Sequence, residues 1–128
     1  MALGKEIGQF SYKSISSTIS AGPGTAMTLE TNFEGTGKGP AGEGTDFGTL
    51  TLVVEAGATS GTWTWCGVGF LKGGGGVGVR GHGTWQGSGP NKWKYRGTAQ
   101  DSAGNLSAVE SEFDLATRTL TGKSYEWN

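Results

Sequence analysis

The stretch "KWKYRGTAQDSAGNLSAVESEFD", Lys92 to Asp114, alternates charges and aromatic rings on either side of a small turn. Successive side chains of a β-strand point to opposite faces, so Lys92, Lys94 and Arg96 share one face and Trp93 and Tyr95 the other. The segment "DSAGN" has the composition of a three-residue hairpin loop in which Gly104 takes the left-handed position. A hairpin centred on Ala103 sets Arg96 opposite Glu110, Lys94 opposite Glu112 and Lys92 opposite Asp114. Each exposed pair is worth about a few tenths of a kcal/mol, but together they oppose a slip that would turn every side chain to the wrong face. The other surface receives Trp93 beside Phe113, with Tyr95 and Val109 nearby. A following hairpin centred between Ala116 and Thr117 sets Lys123 against Glu110 and Phe113 against Leu120. Both registers put the same face inside.

Outward from this hairpin, period-two runs bounded by Gly, Pro, Asn and Ser recur along the whole chain, and no window repeats apolar residues at helical spacing over three turns. Strands are expected at residues 6–17, 26–35, 48–55, 62–71, 77–86, 92–101, 105–114 and 119–127. The joints are "SAGPGT", the long "GTGKGPAGEGTD", "AGATSG", "LKGGGG", "GSGPN", "DSAGN" and "LATR", most of them short enough for antiparallel hairpins. The fold class is therefore all-β: an eight-stranded antiparallel meander closed into a small barrel, which leaves no sheet edge open. A two-sheet sandwich is the alternative. The 128 residues make a single domain over 1–128.

The same alternation, carried backwards, turns Trp85, Val79 and Val77 inward, and further back Leu50, Leu52 and Val54 with Met27, Leu29 and Phe33. A loop centred on Gly74 adds Trp63 and Trp65 to the interior. A one-residue error there would put both indoles outside, as a sticky patch suited to a homo-oligomer.

Composition narrows the partners. Net charge is −1, so neither a nucleic-acid footprint nor a polybasic membrane patch is announced. Cys66 is the one cysteine and His82 the one histidine, too few for a disulfide or a structural zinc site, and a reducing, cytoplasmic setting fits best. The start "MALGKEIGQFSYKS" lacks the apolar core of a signal peptide, and no stretch reaches the ~18 apolar residues of a membrane helix. Asn105-Leu106-Ser107 fits the glycosylation pattern but reads as a plain turn. The 26 glycines are interleaved with five Trp, three Tyr and five Phe, a composition too aromatic for a disordered chain.

Several stretches imitate chemistry. "GVGFLKGGGGVGVRGHGTW", Gly67 to Trp85, contains G-x-G-x-x-G twice, yet a dinucleotide site needs a helix after it, and "VRGHGTW" continues as a strand. "TGKS" and "GTGKG" lack the first glycine of a phosphate loop. Under the Gly74-centred register Cys66 faces His82, the makings of a nucleophile and base, but on the outer face and with no third orienting group. Glu110 and Glu112 share a face, each held by a cationic cross-strand partner. "KWKYR" resembles a single-strand nucleic-acid platform, except that alternation sends its rings and charges to opposite faces.

What remains is an aromatic lining, and an eight-stranded barrel is just wide enough either to be filled by such rings or to hold one small ligand. Glycines opposite large rings favour space inside. With "GTLTL", "GTWTW", "GHGTW" and the closing "EFDLATRTLTGKSYEW", nearly the whole chain resembles uncharacterised bacterial proteins with an allene oxide cyclase-like β-barrel. That resemblance implies a small closed barrel, often oligomeric, whose cavity binds an apolar molecule and, in the cyclases, steers a ring closure without a cofactor. It identifies no catalytic position in this chain.

The expected function is binding of a small apolar or aromatic molecule by Trp85, Trp93, Tyr95, Phe113 and Trp65, with no cofactor and no metal. The alternatives are a cofactor-free isomerase or cyclase in the same lumen, for which Glu126 is the only inward ionisable candidate, and a structural or oligomerisation barrel with a filled core.

Overall fold

The computed structural model describes residues 3–127. Eight antiparallel strands, β1 (Glu6–Ala21), β2 (Met27–Gly39), β3 (Gly42–Val54), β4 (Ser60–Leu71), β5 (Gly76–Gly89), β6 (Lys92–Asp101), β7 (Leu106–Asp114) and β8 (Thr119–Glu126), follow one another round a closed barrel in chain order. The closing pair, β8 on β1, distinguishes a barrel from the sandwich that the same strands could have built. Among the described residues no helix is long and apolar enough to cross a membrane.

The hairpin that decides the fold has the register its charges demand. Arg96 lies opposite Glu110, Lys94 opposite Glu112, Lys92 opposite Asp114 and Trp93 opposite Phe113. In the next hairpin Glu110 faces Lys123 and Phe113 faces Leu120. Gly104 closes the β6–β7 turn at φ +93°, in the left-handed region that the three-residue loop requires. The outer wall is salt-laced: Arg96 Nε stands 3.5 Å from Glu110 Oε1, and Lys123 Nζ lies 3.2 Å from Glu6 Oε1 on β1.

Two expectations are corrected. The β4–β5 loop is centred on Gly73, not Gly74, so Thr64 faces His82 and Cys66 faces Arg80. The cause is that this turn repeats the β6–β7 turn: the N–H of Leu71 donates to the carbonyl of Gly75, that of Gly74 donates to Leu71, and Gly74, at φ +97°, is the third loop residue as Gly104 is in its loop. The correction moves each partner by two residues, which preserves the faces, and Trp63 and Trp65 stay inside. The indoles that could have formed a sticky outer patch are therefore part of the interior. The second correction concerns "GTGKGPAGEGTD", which is not a long joint. β2 and β3 run through it, paired from Met27↔Val54 to Gly39↔Gly42, and only Pro40 and Ala41 turn the chain.

β1 is longer than expected, and its second half projects. Its pairing with β8 ends at Lys13↔Thr119, whereas its pairing with β2 continues, past a bulge between Ser14 and Ser16, to Ala21↔Met27. Ile15, Ile19 and Met27 on this projecting hairpin are exposed. Met27 thus lies beyond the packed interior that alternation predicted for it.

Candidate functional site

The interior has two halves of different density. One is solid: Phe33, Leu50, Leu52, Trp63, Trp85, Tyr95 and Leu120 form the buried cluster, with Trp93 and Phe113 packed against it. Rings meet edge to face between Phe33 and Phe113, with centroids 5.8 Å apart, and stack between Trp93 and Phe113 at 6.1 Å. Glycines make room for the indoles. Trp63 faces Gly83, which faces Gly97, so the indole Nε1–H reaches over β5 to donate to the carbonyls of Thr84 at 3.0 Å and Arg96 at 3.2 Å. Trp85 lies on Gly61, and its Nε1–H has no partner among the described residues.

The other half is hollow. A cavity of about 180 Å³ extends from Leu50, Trp63 and Tyr95 to the β2–β3 turn, where exposed Pro40 borders it and the lumen meets solvent. That volume exceeds the roughly 150 Å³ of an apolar cavity able to hold a benzene ring. Glycines occupy many inward positions on β2, β3 and β4: Gly37, Gly44 and Gly69 border the cavity, while Gly35, Gly48 and Gly67 lie beneath aromatic rings. Large rings from other positions fold down over this bare wall. Trp65 lies against Gly48 and Gly67, and Tyr12 of β1 crosses Gly35, its direct partner on β2.

The Tyr12 ring crosses Gly35 to reach Asp46 on β3, because Gly35 is also the partner of Asp46. The Tyr12 hydroxyl donates a short hydrogen bond to Asp46 Oδ2. Tyr12 is stacked between Phe10, at 4.9 Å, and Trp65, at 5.6 Å and nearly parallel. The Asp46 carboxylate rests over Gly37 on one side and Gly69 on the other, where any Cβ would crowd it. Burial pushes the Asp46 carboxyl above its ordinary value, an effect opposed by the hydrogen bond from Tyr12. Burial, then the hydrogen bond and charge of Asp46, push the Tyr12 phenol well above its ordinary range. The raised phenol keeps its proton on Tyr12, and the hydrogen-bonded pair is a fixed polar feature of the lumen. Tyr95, which also borders the cavity, is pushed up to about 12 by burial.

The residues expected to line a ligand site divide between the halves. Trp65 and Tyr95 border the cavity; Trp85, Trp93 and Phe113 belong to the solid half. Glu126, the last residue of β8, is exposed and does not border the cavity. Cys66 and His82 are exposed on the outer wall and face other residues. Asp101 borders the cavity, but its Oδ1 accepts the backbone N–H groups of Ala103, at 3.0 Å, and Asn105, at 2.9 Å, and so is engaged in closing the β6–β7 turn. No group of three His, Cys, Asp or Glu among the described residues could hold a metal ion.

Sequence reasoning missed Tyr12 and Asp46. Asp46 was hidden in the supposed long joint. Its parity with the inward residues Leu50 and Leu52 was the available signal, had β3 been extended back to Gly42. No family model, curated protein or solved structure matches the chain.

Proposed function

We propose that this barrel binds a small apolar or aromatic molecule in the hollow half of its lumen. The observation that carries the reading is the division of the interior: one half is packed solid with rings, and the other holds a cavity of about 180 Å³ bordered by Trp65, Tyr95, Leu71, Val77 and Val79. A chain selected for stability alone gains by filling such a space, since each missing methylene forfeits burial worth about 0.8 kcal/mol. The cavity walls offer the apolar surface and few polar groups typical of small-molecule sites. The allene oxide cyclase-like resemblance points the same way, and the single cysteine agrees with a cytoplasmic setting.

A second reading, a cofactor-free isomerase or cyclase, is favoured by one specific observation. Asp46 is an ionisable group in the lumen whose affinity for protons is raised by burial, the direction a general base near neutral pH requires.

Titration with a fluorescent apolar probe, alongside urea unfolding, tests the binding reading. Trp65→Ala should weaken probe binding at least tenfold with a modest loss of stability, because this ring borders a void. Trp85→Ala, in the solid half, should cost about 3–5 kcal/mol of stability. Absence of probe binding by the wild-type protein would leave a structural barrel.

A further inference from the structure

We propose that the lumen is selective for small protonated amines with an apolar body, such as an arylalkylamine, and that Asp46 is the group that receives the ammonium. The proposal rests on the reading of the hollow half as a binding site and specifies what it binds.

Among the described residues Asp46 is the only carboxylate in the cavity wall with free acceptor capacity. Oδ2 takes the Tyr12 hydroxyl, while Oδ1, over Gly69, has no hydrogen-bond partner among the described residues, and no cation forms an ion pair with the group. An ionised carboxylate offers about four lone-pair sites, so most remain to be filled. The other charges at the cavity are Asp101, engaged by its turn, and exposed Lys38, which stands opposite Glu43 at the rim. The hollow therefore has a negative balance, which disfavours a carboxylate or phosphate ligand. A charge-assisted N–H···O bond to a partly desolvated carboxylate is roughly twice as strong as a neutral one. It also offsets the cost of burying Asp46, which a hydrocarbon ligand would only increase. The remaining wall, with Trp65, Tyr95, Leu71, Val77 and Val79, accepts a ring and a short arm, and about 180 Å³ suits such a ligand.

Calorimetric titration at about pH 7 with three phenylalkyl probes that differ in charge tests this: phenethylamine (cation), 2-phenylethanol (neutral) and 3-phenylpropanoate (anion). Wild-type protein should bind phenethylamine at least tenfold more tightly than 2-phenylethanol, and 3-phenylpropanoate most weakly. Asp46→Asn, which keeps an acceptor for Tyr12, should abolish the preference by weakening phenethylamine at least tenfold while leaving 2-phenylethanol unchanged. Tyr12→Phe, which frees Oδ2, should retain the preference for the amine. Equal affinity for the amine and the alcohol, or an amine preference that survives in a folded Asp46→Asn protein, would overturn the proposal and leave the apolar binding site standing. Failure of all three probes, together with failure of the apolar fluorescent probe, would overturn the binding reading and this inference with it.

Discussion

Trp63 and Trp85 are buried to nearly the same degree, with 6% and 4% of their surfaces exposed, yet their indole N–H groups have opposite fates. Nε1 of Trp63 donates to two carbonyls, at 3.0 and 3.2 Å, whereas Nε1 of Trp85 has no partner among the described residues. Replacing each in turn by Phe removes the same atoms from two almost fully buried rings, but Trp63 borders the cavity and Trp85 does not, so the packing loss is the smaller at Trp63 and is set against the polar difference. Trp63→Phe loses a hydrogen bond worth about 0.5–1.5 kcal/mol net, while Trp85→Phe removes a buried unpaired donor whose presence costs about 1–3 kcal/mol. The polar contributions together come to about 1.5–4.5 kcal/mol, so with the smaller packing loss set against them Trp63→Phe should be the less stable protein by about 1–4 kcal/mol. For a chain of this length that corresponds to a melting difference on the order of 10 °C. Urea unfolding followed by far-ultraviolet circular dichroism gives the same quantity if the slope is unchanged between variants. Equal destabilisation would refute the reasoning, since the Trp85 N–H would then have to be satisfied in solution.

Other expectations follow from the charges and the titrating groups. Because burial raises the Asp46 carboxyl, its contribution favours folding at pH below the ordinary carboxylate range and is lost as pH rises through the elevated value. Asp46→Asn should therefore gain stability relative to wild type as pH climbs through and above that range; a gap independent of pH in urea midpoints would contradict this. Tyr95, raised from 10.0 to about 12, stabilises below pH 10 and loses that contribution as pH rises towards 12, so wild type should lose stability relative to Tyr95→Phe in that window. Alkaline unfolding curves of the two proteins that stay parallel would reject it. Arg96→Glu should place two carboxylates opposite each other at a cost of up to ~1 kcal/mol, and Glu110→Arg in the same chain should recover part of it. A double-mutant cycle in urea that shows no coupling would mean that the pair does not interact in solution.

The β6–β7 hairpin was legible because its two faces differ in kind: Lys92, Lys94 and Arg96 mark the outside as plainly as Trp93 and Tyr95 mark the inside, and Glu110, Glu112 and Asp114 fix the partner. The β2–β3 hairpin carries no such contrast. Its outward residues include Thr36, Lys38, Glu43 and Thr45, but its inward ones are Gly35, Gly37, Gly44 and Asp46, so an apolar alternation has nothing to register and the stretch reads as a loop. The cause is close packing over the strand wall. Alternation reports inward side chains, and where groups from neighbouring strands lie on the wall, as Tyr12 does on Gly35 and Asp46 on Gly37, the wall is glycine, which is also the commonest mark of a turn. The β4–β5 loop was misplaced by one residue because four consecutive glycines, Gly73 to Gly76, can each take the left-handed position, and two of them, Gly74 at φ +97° and Gly75 at φ +86°, do so, which leaves the composition unable to fix the loop's centre. A polar residue set among inward glycines, as Asp46 is between Gly44 and Gly48, thus marks a strand wall on which groups from neighbouring strands lie, and it points to a polar group inside the barrel.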